Sequence, residues 1–287
     1  MKNSKTCAGA ALLAAAAAAG YLVWENGALE LSEFTCESPK IPAGFDGFKI
    51  ALISDLHARS FGKNNSRLLA LLKKAKPDII ALTGDIFDRH TERGERAALA
   101  FIEGAAKISP CFFVSGNHEA KLSRAVYKGY MDALKGEGVR ILDNERAILK
   151  RGGDEISLLG LADFKMDPRS YGRDIQVSTD MRLSRLSRPG EGFQILLTHR
   201  PEQLEVYSRC GMDLVLAGHT HGGQWRLPLI GAVFIPNQGF FPAISDGKYR
   251  LEDTAMIVSR GLGASNIRFR AFNRPQVALV SLKRGTE

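Results

Sequence analysis

From Phe48 onward, short apolar runs alternate with segments of helical periodicity. The runs FKIALIS, IIALTGD and CFFVSGN are rich in strand-forming residues, and turn residues follow each of them. The intervening segments NNSRLLALLKKAKPD and GERAALAFIEGAAK carry apolar residues at helical spacing, and Pro77 follows the first of these helical patterns. A strand–helix repeat of this kind predicts α/β units built around a largely parallel sheet.

The second half of the chain has a different pattern. The runs EISLLGLAD, FQILLTH, MDLVLAG, TAMIVSRG and QVALVSL have the composition of short strands, with fewer helices between them. A second sheet fits this pattern better than one continued sheet. The sequence therefore predicts a mixed α/β fold with two sheets in a single domain.

Polar side chains stand where five of the predicted strands end. In open α/β sheets, ligands bind beyond the carboxyl ends of the strands, so these side chains are expected to converge on one place. Five of the six histidines, all except His90, belong to these clusters. The clusters are Asp55 with His57, Asp85 with Asp88, Asn117 with His118 and Glu119, His199 alone, and His219 with His221.

The donor atoms in these clusters point to a transition metal. Asp, Asn and His offer oxygen and nitrogen ligands that suit Mn, Fe or Zn better than calcium. Asp55 and His57 are two residues apart, as are His219 and His221. In an extended segment this spacing puts both side chains on one face. Each residue alone also has a structural explanation: Asp55 as a helix cap, Asn117 as a turn residue and His199 as a core histidine. All of these explanations would have to hold together to account for the set.

Charge and cysteine content set weaker limits on function. The formal net charge of +8 suits an anionic substrate or a membrane surface, and it fits a basic soluble surface about as well. The four cysteines form no C-x-x-C pair, which argues against a zinc ribbon or a thioredoxin-like site. Cys111 and Cys210 are expected to be buried thiols, with a disulfide as the alternative.

The N-terminus carries a charge-free run from Thr6 to Trp24 that is dominated by alanine. A helix of this length is just long enough for a hydrocarbon core of about 30 Å. Lys2 and Lys5 precede the run and acids follow it, which orients the domain toward the outer face of a membrane. We therefore predict a single-pass anchor at residues 1–24, a stalk and first strand at 25–45, and a domain at 46–287. The alternative is a cleaved signal peptide and a secreted protein.

In order along the chain, the polar clusters match D-x-H, G-D-x-x-D, G-N-H-E, H and G-H-x-H. The matching segments are DLH at 55–57, GDIFD at 84–88, GNHE at 116–119, His199 and GHTH at 218–221. This five-part pattern resembles the calcineurin-like metallophosphoesterase superfamily over roughly residues 46–287. Together with GHTHGGQ, SRGLG and the N-terminal run, it resembles the bacterial membrane-associated branch of phosphoesterases and phosphodiesterases.

The resemblance implies an αββα sandwich of two mixed sheets and a site with two divalent transition-metal ions, such as Mn, Fe or Zn. It implies that a hydroxide bridging the ions, which lie about 4 Å apart, attacks phosphorus. It also implies that His118 protonates the leaving oxygen and that Asp88 orients His118. The implied ligands are Asp55, His57, Asp85 and His221 for one ion, and Asp85, Asn117, His199 and His219 for the other.

The substrate is the least constrained part of this interpretation. A phosphodiesterase or phosphomonoesterase acting on envelope or lipid phosphoesters is the first hypothesis. The alternatives are a pyrophosphatase that cleaves a UDP-linked lipid precursor and a non-catalytic metal-binding interaction module. No nucleic-acid partner is expected, and the oligomeric state is left open. Residues 227–244 lack charge, and their phenylalanines Phe234, Phe240 and Phe241 fit either an apolar rim for an acyl chain or a hairpin packed on the domain.

Overall fold

The computed structural model describes residues 2–88, 92–167, 174–236, 238–264 and 269–286. In the first half of the chain, helices and strands alternate as the sequence predicts. The helices are α1 Lys2–Gly27, α2 Ser66–Ala75, α3 Glu92–Ala106, α4 Arg124–Gly136, α5 Ile175–Leu186 and α6 Leu204–Arg209. The strands are β1 Glu30–Ser38, β2 Lys49–Ile53, β3 Ile79–Thr83, β4 Cys111–Val114, β5 Arg140–Ile141, β6 Glu145–Arg151, β7 Asp154–Leu161, β8 Gln194–Thr198, β9 Leu214–Ala217, β10 Arg226–Leu227, β11 Gly231–Ala232, β12 Phe234–Ile235, β13 Gly239–Phe240, β14 Gly247–Leu251, β15 Thr254–Val258 and β16 Gln276–Arg284.

Two six-stranded sheets carry the fold, in the orders β1-β16-β2-β3-β4-β5 and β14-β15-β9-β8-β7-β6. Strands β2 to β5 run parallel, and β16 pairs antiparallel with β2. In the second sheet β7, β8, β9 and β15 run parallel, and the edge strands β6 and β14 are antiparallel to their neighbours. The prediction of a second sheet, with both sheets mixed, is therefore confirmed, but the run QVALVSL, grouped with the second sheet, forms β16 of the first sheet.

Alternation along the strands separates the layers. In β2, Ile50 and Leu52 enter the core between the two sheets, whereas Ala51 and Ile53 enter the core under the helices of the first sheet. In β8, residues 195 and 197 face the other sheet, and residue 196 faces the α5 and α6 side. Burying each large aliphatic side chain contributes about 1.5–3 kcal/mol, so a slip of one residue in register would be costly. The layers are helix, sheet, sheet, helix.

The N-terminal prediction is not reproduced. Within the described ranges, none of the helices combines the length and the apolar character needed to cross a bilayer. The transmembrane helix predicted for residues 1–24 is therefore not found, and the division of the chain at residues 24 and 45 stays a prediction.

The C-terminal end of α1 packs on the domain. Glu25 is buried and accepts hydrogen bonds from the backbone N–H groups of Phe272 and Asn273, at 2.9 and 2.7 Å. The Asn26 side chain donates to the carbonyl of Arg270 and accepts from its N–H. These bonds tie α1 to the loop between β15 and β16.

Cysteines are buried thiols, as predicted for Cys111 and Cys210. Cys36, Cys111 and Cys210 are free and lie in the hydrophobic cores. Burial raises the pKa of the Cys111 thiol to about 12, so this sulfur stays protonated and unreactive at neutral pH.

Candidate metal centre

Loops at the carboxyl ends of β2, β3, β4, β8 and β9 meet at one edge of the sandwich. The loop after β2 stays paired with the loop after β3, because Asp55 N–H donates to the Gly84 carbonyl at 3.0 Å and His57 N–H donates to the Asp85 carbonyl at 2.9 Å. In the second sheet, Gly218 N–H donates to the His199 carbonyl at 3.2 Å. Strands of both sheets therefore contribute polar side chains to the same place.

The pairs Asp55/His57 and His219/His221 are not in extended segments, and the prediction that they are was wrong. Asp55, His57, His219 and His221 have φ angles of +53°, +48°, +72° and +52°. These values lie in the left-handed region, which non-glycine residues rarely occupy. The turns let Leu56, between the first pair, enter the core with no exposed surface. Sparsely populated backbone conformations of this kind cluster at functional sites.

Two glycines allow the loops to approach closely. A Cβ at Gly84 would lie 2.6 Å from the Cα of Gly116, and Gly84 also has a φ of +84°. A Cβ at Gly218 would overlap the side chains of Ser54 and Asp55. The glycines of G-D-x-x-D and G-H-x-H are therefore required by packing between the loops.

One group of potential ligands consists of Asp55, His57 and His221. The Nε2 atoms of His57 and His221 are 3.2 Å apart, and Asp55 Oδ1 lies 3.3 Å from His221 Nε2. The other carboxylate oxygen of Asp55 accepts from the N–H of His219 at 3.0 Å. One oxygen of Asp55 thus fixes the loop, and the other faces the histidines.

A second group consists of Asp85, His199 and His219. Asp85 Oδ2 lies 3.2 Å from His199 Nε2, which is 3.1 Å from His219 Nδ1. His199 is held in this orientation by a contact of 2.8 Å between its Nδ1 and the carbonyl of Thr83. Asp85 Oδ2 is also 3.9 Å from His57 Nε2, so Asp85 stands between the two groups.

The donor set fits divalent metal ions. Asp55 Oδ1 and Asn117 Oδ1 are buried and have no hydrogen-bond partner within the described ranges. Burial, reinforced by neighbouring cations, lowers the pKa values of His219 and His221 well below the usual range, so both imidazoles are neutral, the form that ligates metals. Unpaired carboxylate and amide oxygens beside neutral imidazoles are what a divalent ion would satisfy.

Asp85 is the anionic centre of the cluster. Burial opposes its charge, but His199 first, and then His57 and His118, hold its pKa well below the usual range. His199 shows the reciprocal effect: burial would lower its pKa, and Asp85 raises it to about 10. Asp85 is therefore ionised and ready to bind a cation.

His118 lies beside this cluster at the cavity wall. Its Nδ1 is 3.3 Å from Asp88 Oδ1, and its Nε2 is 3.2 Å from the Nζ of Lys121. Burial would lower the pKa of His118, but the hydrogen bond with Asp88 and the charge of Asp85 raise it above the usual value. Asp88 also places Oδ2 3.4 Å from His57 Nδ1, so it contacts two histidines and not His118 alone.

Glu119 is a residue whose part the sequence interpretation missed. It is buried, and its carboxylate accepts from the N–H groups of Asp85, Ile86, Phe87 and Gly116 at 2.8, 2.9, 3.1 and 2.9 Å. The first three bonds join the loop after β3 to the loop after β4, and the bond from Gly116 closes the loop after β4 on itself. The signal in the sequence was its position as the last residue of GNHE. A buried glutamate carboxylate needs hydrogen-bond donors, and backbone N–H groups can supply them.

We expect Glu119→Gln to lower kcat/KM by about 10–100-fold, the usual effect of removing a group that orients metal ligands. The amide NH₂ would face backbone donors and push the Asp85 loop out of place. Asp213→Asn is the matched control, because Asp213 is also buried and accepts a backbone N–H from Gln194, but at the opposite end of the strands. The measurement is kcat/KM of both variants on one soluble substrate. Equal losses of kcat/KM in Glu119→Gln and Asp213→Asn would contradict the role of Glu119 in orienting the site.

A cavity of about 350 Å³ opens above the cluster, and Asp85, Asn117, His118, His219 and His221 line it. Three cations, Lys121, Lys165 and Arg200, also line it. Arg200 is fixed by Asp163 at 2.6 Å and Glu202 at 2.9 Å, and its Nη1 lies 3.2 Å from His219 Nε2. The cavity therefore combines anionic ligands at its floor with cations at its wall, an arrangement suited to an anionic substrate. The sequence interpretation missed all three cations; Arg200 directly follows His199, which was the only signal.

The structure brings together all the residues that the sequence predicted for the site. Asp55, His57 and His199 lie beneath the cavity, in contact with residues that line it. Asp88 contacts His57 and His118 from the side. His90, the histidine predicted to be outside the site, lies outside the described residues.

Comparison with known proteins identifies the family. A family model described as calcineurin-like phosphoesterase matches residues 48–223. The uncharacterized metallophosphoesterase YkuE of Bacillus subtilis is 31% identical over 260 residues, which cover 89% of this chain and 86% of that protein. Phosphodiesterase YaeI of Escherichia coli is 28% identical over 247 residues, or 82% of each chain. A Danio rerio protein named transmembrane protein with metallophosphoesterase domain is 28% identical over 258 residues, which cover 85% of this chain and 55% of that protein.

The matched region spans more than half of the chain and contains every residue predicted for the site. It begins before Asp55 and ends after His221, so both of these ligand groups lie inside it, as does a third potential group of His57, Asp88 and His118. The chain belongs to the calcineurin-like phosphoesterase family and is a metal-dependent phosphoester hydrolase.

Proposed function

We propose that the chain is a phosphodiesterase with a dinuclear metal centre, acting on envelope or lipid phosphoesters. The observation that carries this proposal is the meeting of two ligand groups at Asp85, which contacts His199 of one group and lies 3.9 Å from His57 of the other. A shared carboxylate between two sets of nitrogen and oxygen donors is the arrangement expected for two ions that act on one phosphoryl group.

Each ion is assigned its own ligands, with Asp85 shared. The unpaired oxygens of Asp55 and Asn117 and the neutral imidazoles of His219 and His221 support the assignment. The ligands are Asp55, His57, Asp85 and His221 for one ion, and Asp85, Asn117, His199 and His219 for the other.

Two bound divalent ions would supply Lewis acidity toward the phosphoryl oxygens and lower the pKa of the attacking water. The chain itself would bind and orient the substrate. Arg200, held rigid by Asp163 and Glu202, offers a fixed guanidinium to a phosphate oxygen, and Lys121 and Lys165 add positive charge. His118, with a raised pKa, would supply a proton to the leaving oxygen.

Two further features favour a diester with an apolar group over a small monoester. The relative YaeI is named a phosphodiesterase. In addition, Phe234, Ile235 and Pro236 give part of the cavity an apolar lining, in contrast to its cationic wall. An apolar wall gives a lipid or other apolar ester group a surface to pack on.

The diester assignment predicts a higher kcat/KM for bis(p-nitrophenyl) phosphate than for p-nitrophenyl phosphate, with the purified full chain and added Mn²⁺. His219→Ala, prepared in the same way, is the control for contaminating phosphatases and should be inactive on both. A preference for the monoester in the wild-type chain would overturn the diester part of the proposal.

A location at the outer face of a membrane stays a prediction from the N-terminal sequence. The Danio rerio relative is named a transmembrane protein, and no described helix of this chain is long and apolar enough to span a bilayer. Fractionation of cells expressing the full chain tests this prediction: full-length, uncleaved protein in the soluble fraction would contradict it.

A further inference from the structure

A second feature of the molecule is an apolar surface beside the mouth of the cavity, which we call the apolar lip. Leu229 is fully exposed, and Phe240 and Phe241 are 73% and 65% exposed. Side chains this large are seldom exposed together on a soluble monomer unless the surface binds something. The apolar lip consists of Leu227, Leu229, Ile230, Phe234, Phe240 and Phe241.

The backbone holds these side chains outward. Strand β10 pairs antiparallel with β11, and β12 pairs antiparallel with β13, so Leu227 lies opposite Gly231 and Phe234 lies opposite Phe240. Leu229 and Phe241 adopt φ angles of +68° and +50°, which are unfavourable for bulky residues. Both side chains are exposed, so burial of the side chain does not offset the unfavourable backbone conformation.

The apolar lip lies between the cavity and the end of α1. On one side, Phe234 lines the cavity and its ring packs against that of Phe240, with centroids 5.2 Å apart. On the other side, Leu229 and Ile230 border a depression that Phe272 also borders. The Phe272 ring lies 5.7 Å from that of Tyr21 in α1. Apolar side chains therefore lie along a path from the end of α1 to the cavity, with Arg226 also bordering the depression.

The charges favour a lipid surface as the occupant. Residues 225–241 contain one charged side chain, Arg226, which pairs with Asp246, so the surface itself carries no excess acid. The charge-free run of α1, at the other end of the path, follows Lys2 and Lys5, and the whole chain carries +8. Apolar side chains on a basic molecule are the combination that binds the interface of anionic bilayers.

We propose that the apolar lip docks on an anionic lipid bilayer, so that the cavity mouth faces the lipid headgroups. The delivery of substrate rests on the proposed function: docking would bring a lipid phosphoester from the bilayer to the cavity. Phe240 and Phe241 would enter the boundary between headgroups and acyl chains, and Phe234 would lie at the cavity entrance.

Tryptophan fluorescence tests the docking directly. The chain has two tryptophans, Trp24 and Trp225, and Trp225 is 42% exposed next to the apolar lip. In full-length Trp24→Phe, vesicles of phosphatidylglycerol and phosphatidylcholine should blue-shift the emission of Trp225, and brominated lipid should quench it. Vesicles of phosphatidylcholine alone should bind more weakly, because anionic lipids attract the basic chain. An unchanged Trp225 emission with anionic vesicles overturns the proposal.

Matched variants separate the apolar lip from other lipid contacts. In the Trp24→Phe background, Phe240→Ser with Phe241→Ser should raise the lipid concentration that gives half-maximal quenching of Trp225. The expected rise is at least about tenfold per phenylalanine. Leu229→Ser with Ile230→Ser is a second, independent pair. Val126→Ser is the control, because Val126 is a 45% exposed apolar residue on α4. Equal quenching of Trp225 in all of these variants overturns the proposal. The proposal is also overturned if lipid does not quench Trp225 and the chain instead forms a concentration-dependent dimer that the serine variants lose.

Kinetics distinguishes failure of docking from failure of the proposed function. Neither Phe240 nor Phe241 lines the cavity, so the double variant should hydrolyse a water-soluble diester at the wild-type rate. Below saturating lipid, its rate on a phospholipid in anionic vesicles should fall at least about a hundredfold, in line with binding that is about tenfold weaker per phenylalanine. An unchanged rate on vesicles overturns docking as the route of entry. A wild-type chain that binds vesicles but hydrolyses no diester contradicts the proposed function and leaves the docking result standing.

Discussion

Asp85→Asn is expected to lower kcat/KM for every phosphoester substrate by at least about 10³-fold. Asp85 contacts His199 Nε2 at 3.2 Å, lies 3.9 Å from His57 Nε2, and accepts from the N–H of His118 at 2.7 Å. Asparagine keeps the shape but removes the charge that both ions would share. We therefore expect the bound metal to fall with the activity.

The control for this substitution is Asp213→Asn, which removes the charge of another buried aspartate. Asp213 pairs with Lys40 at 2.9 Å and precedes β9, whereas the site follows β9. It should lose stability and keep wild-type kcat/KM per folded molecule. Steady-state kinetics and elemental analysis of both purified variants make the comparison. An active Asp85→Asn with full metal content would show that Asp85 is not shared between ions.

The second large effect concerns His118 and depends on the leaving group. A general acid contributes about 10²–10⁴-fold when the departing oxygen needs a proton. A nitrophenolate leaves readily without a proton, and an alkoxide does not. We expect His118→Ala to slow an alkyl phosphodiester by that factor and to slow a nitrophenyl diester much less.

Two companion variants make the His118 result interpretable. His219→Ala should slow both diesters alike, because its imidazole belongs to a predicted metal site. Asp88→Asn should affect both substrates to some degree, because Asp88 contacts His57 as well as His118. The measurement is kcat/KM for two diesters that differ only in the pKa of the leaving group. Equal losses on both in His118→Ala would mean that His118 positions the phosphate or a ligand and delivers no proton.

Local pattern was enough to predict the central strands of both sheets and the helices α2 and α3, but not the strands β5, β6 and β14 at the sheet edges. Buried strands appear in the sequence as apolar runs, such as 79–83 and 214–217, because both faces of each strand are covered. The strand order was not predictable in the same way. The last strand, β16, lies between β1 and β2, a pairing between distant parts of the chain that no local pattern encodes.

The position of the site was predictable because polar residues follow apolar strands that end at one edge. The conformation of its loops was not, because Asp55, His57 and Asp85 all adopt positive φ although none is glycine. Tertiary contacts impose these angles: Glu119 fixes the Asp85 loop through three backbone bonds, and Asp55 fixes His219. The docking of Glu25 on the loop before β16 is another contact between distant residues that the sequence pattern does not reveal.

The central claim is that this chain acts through two metal ions held by the clusters around Asp85. The most direct test is elemental analysis of the purified full-length protein, with diesterase activity measured on the same sample before chelation, after chelation and after metal is restored. We predict two divalent transition-metal ions per chain, loss of activity when the chelator removes them, and recovery when Mn²⁺, Fe²⁺ or Zn²⁺ is returned. Full activity from protein that contains no metal and is kept in chelator would contradict the account.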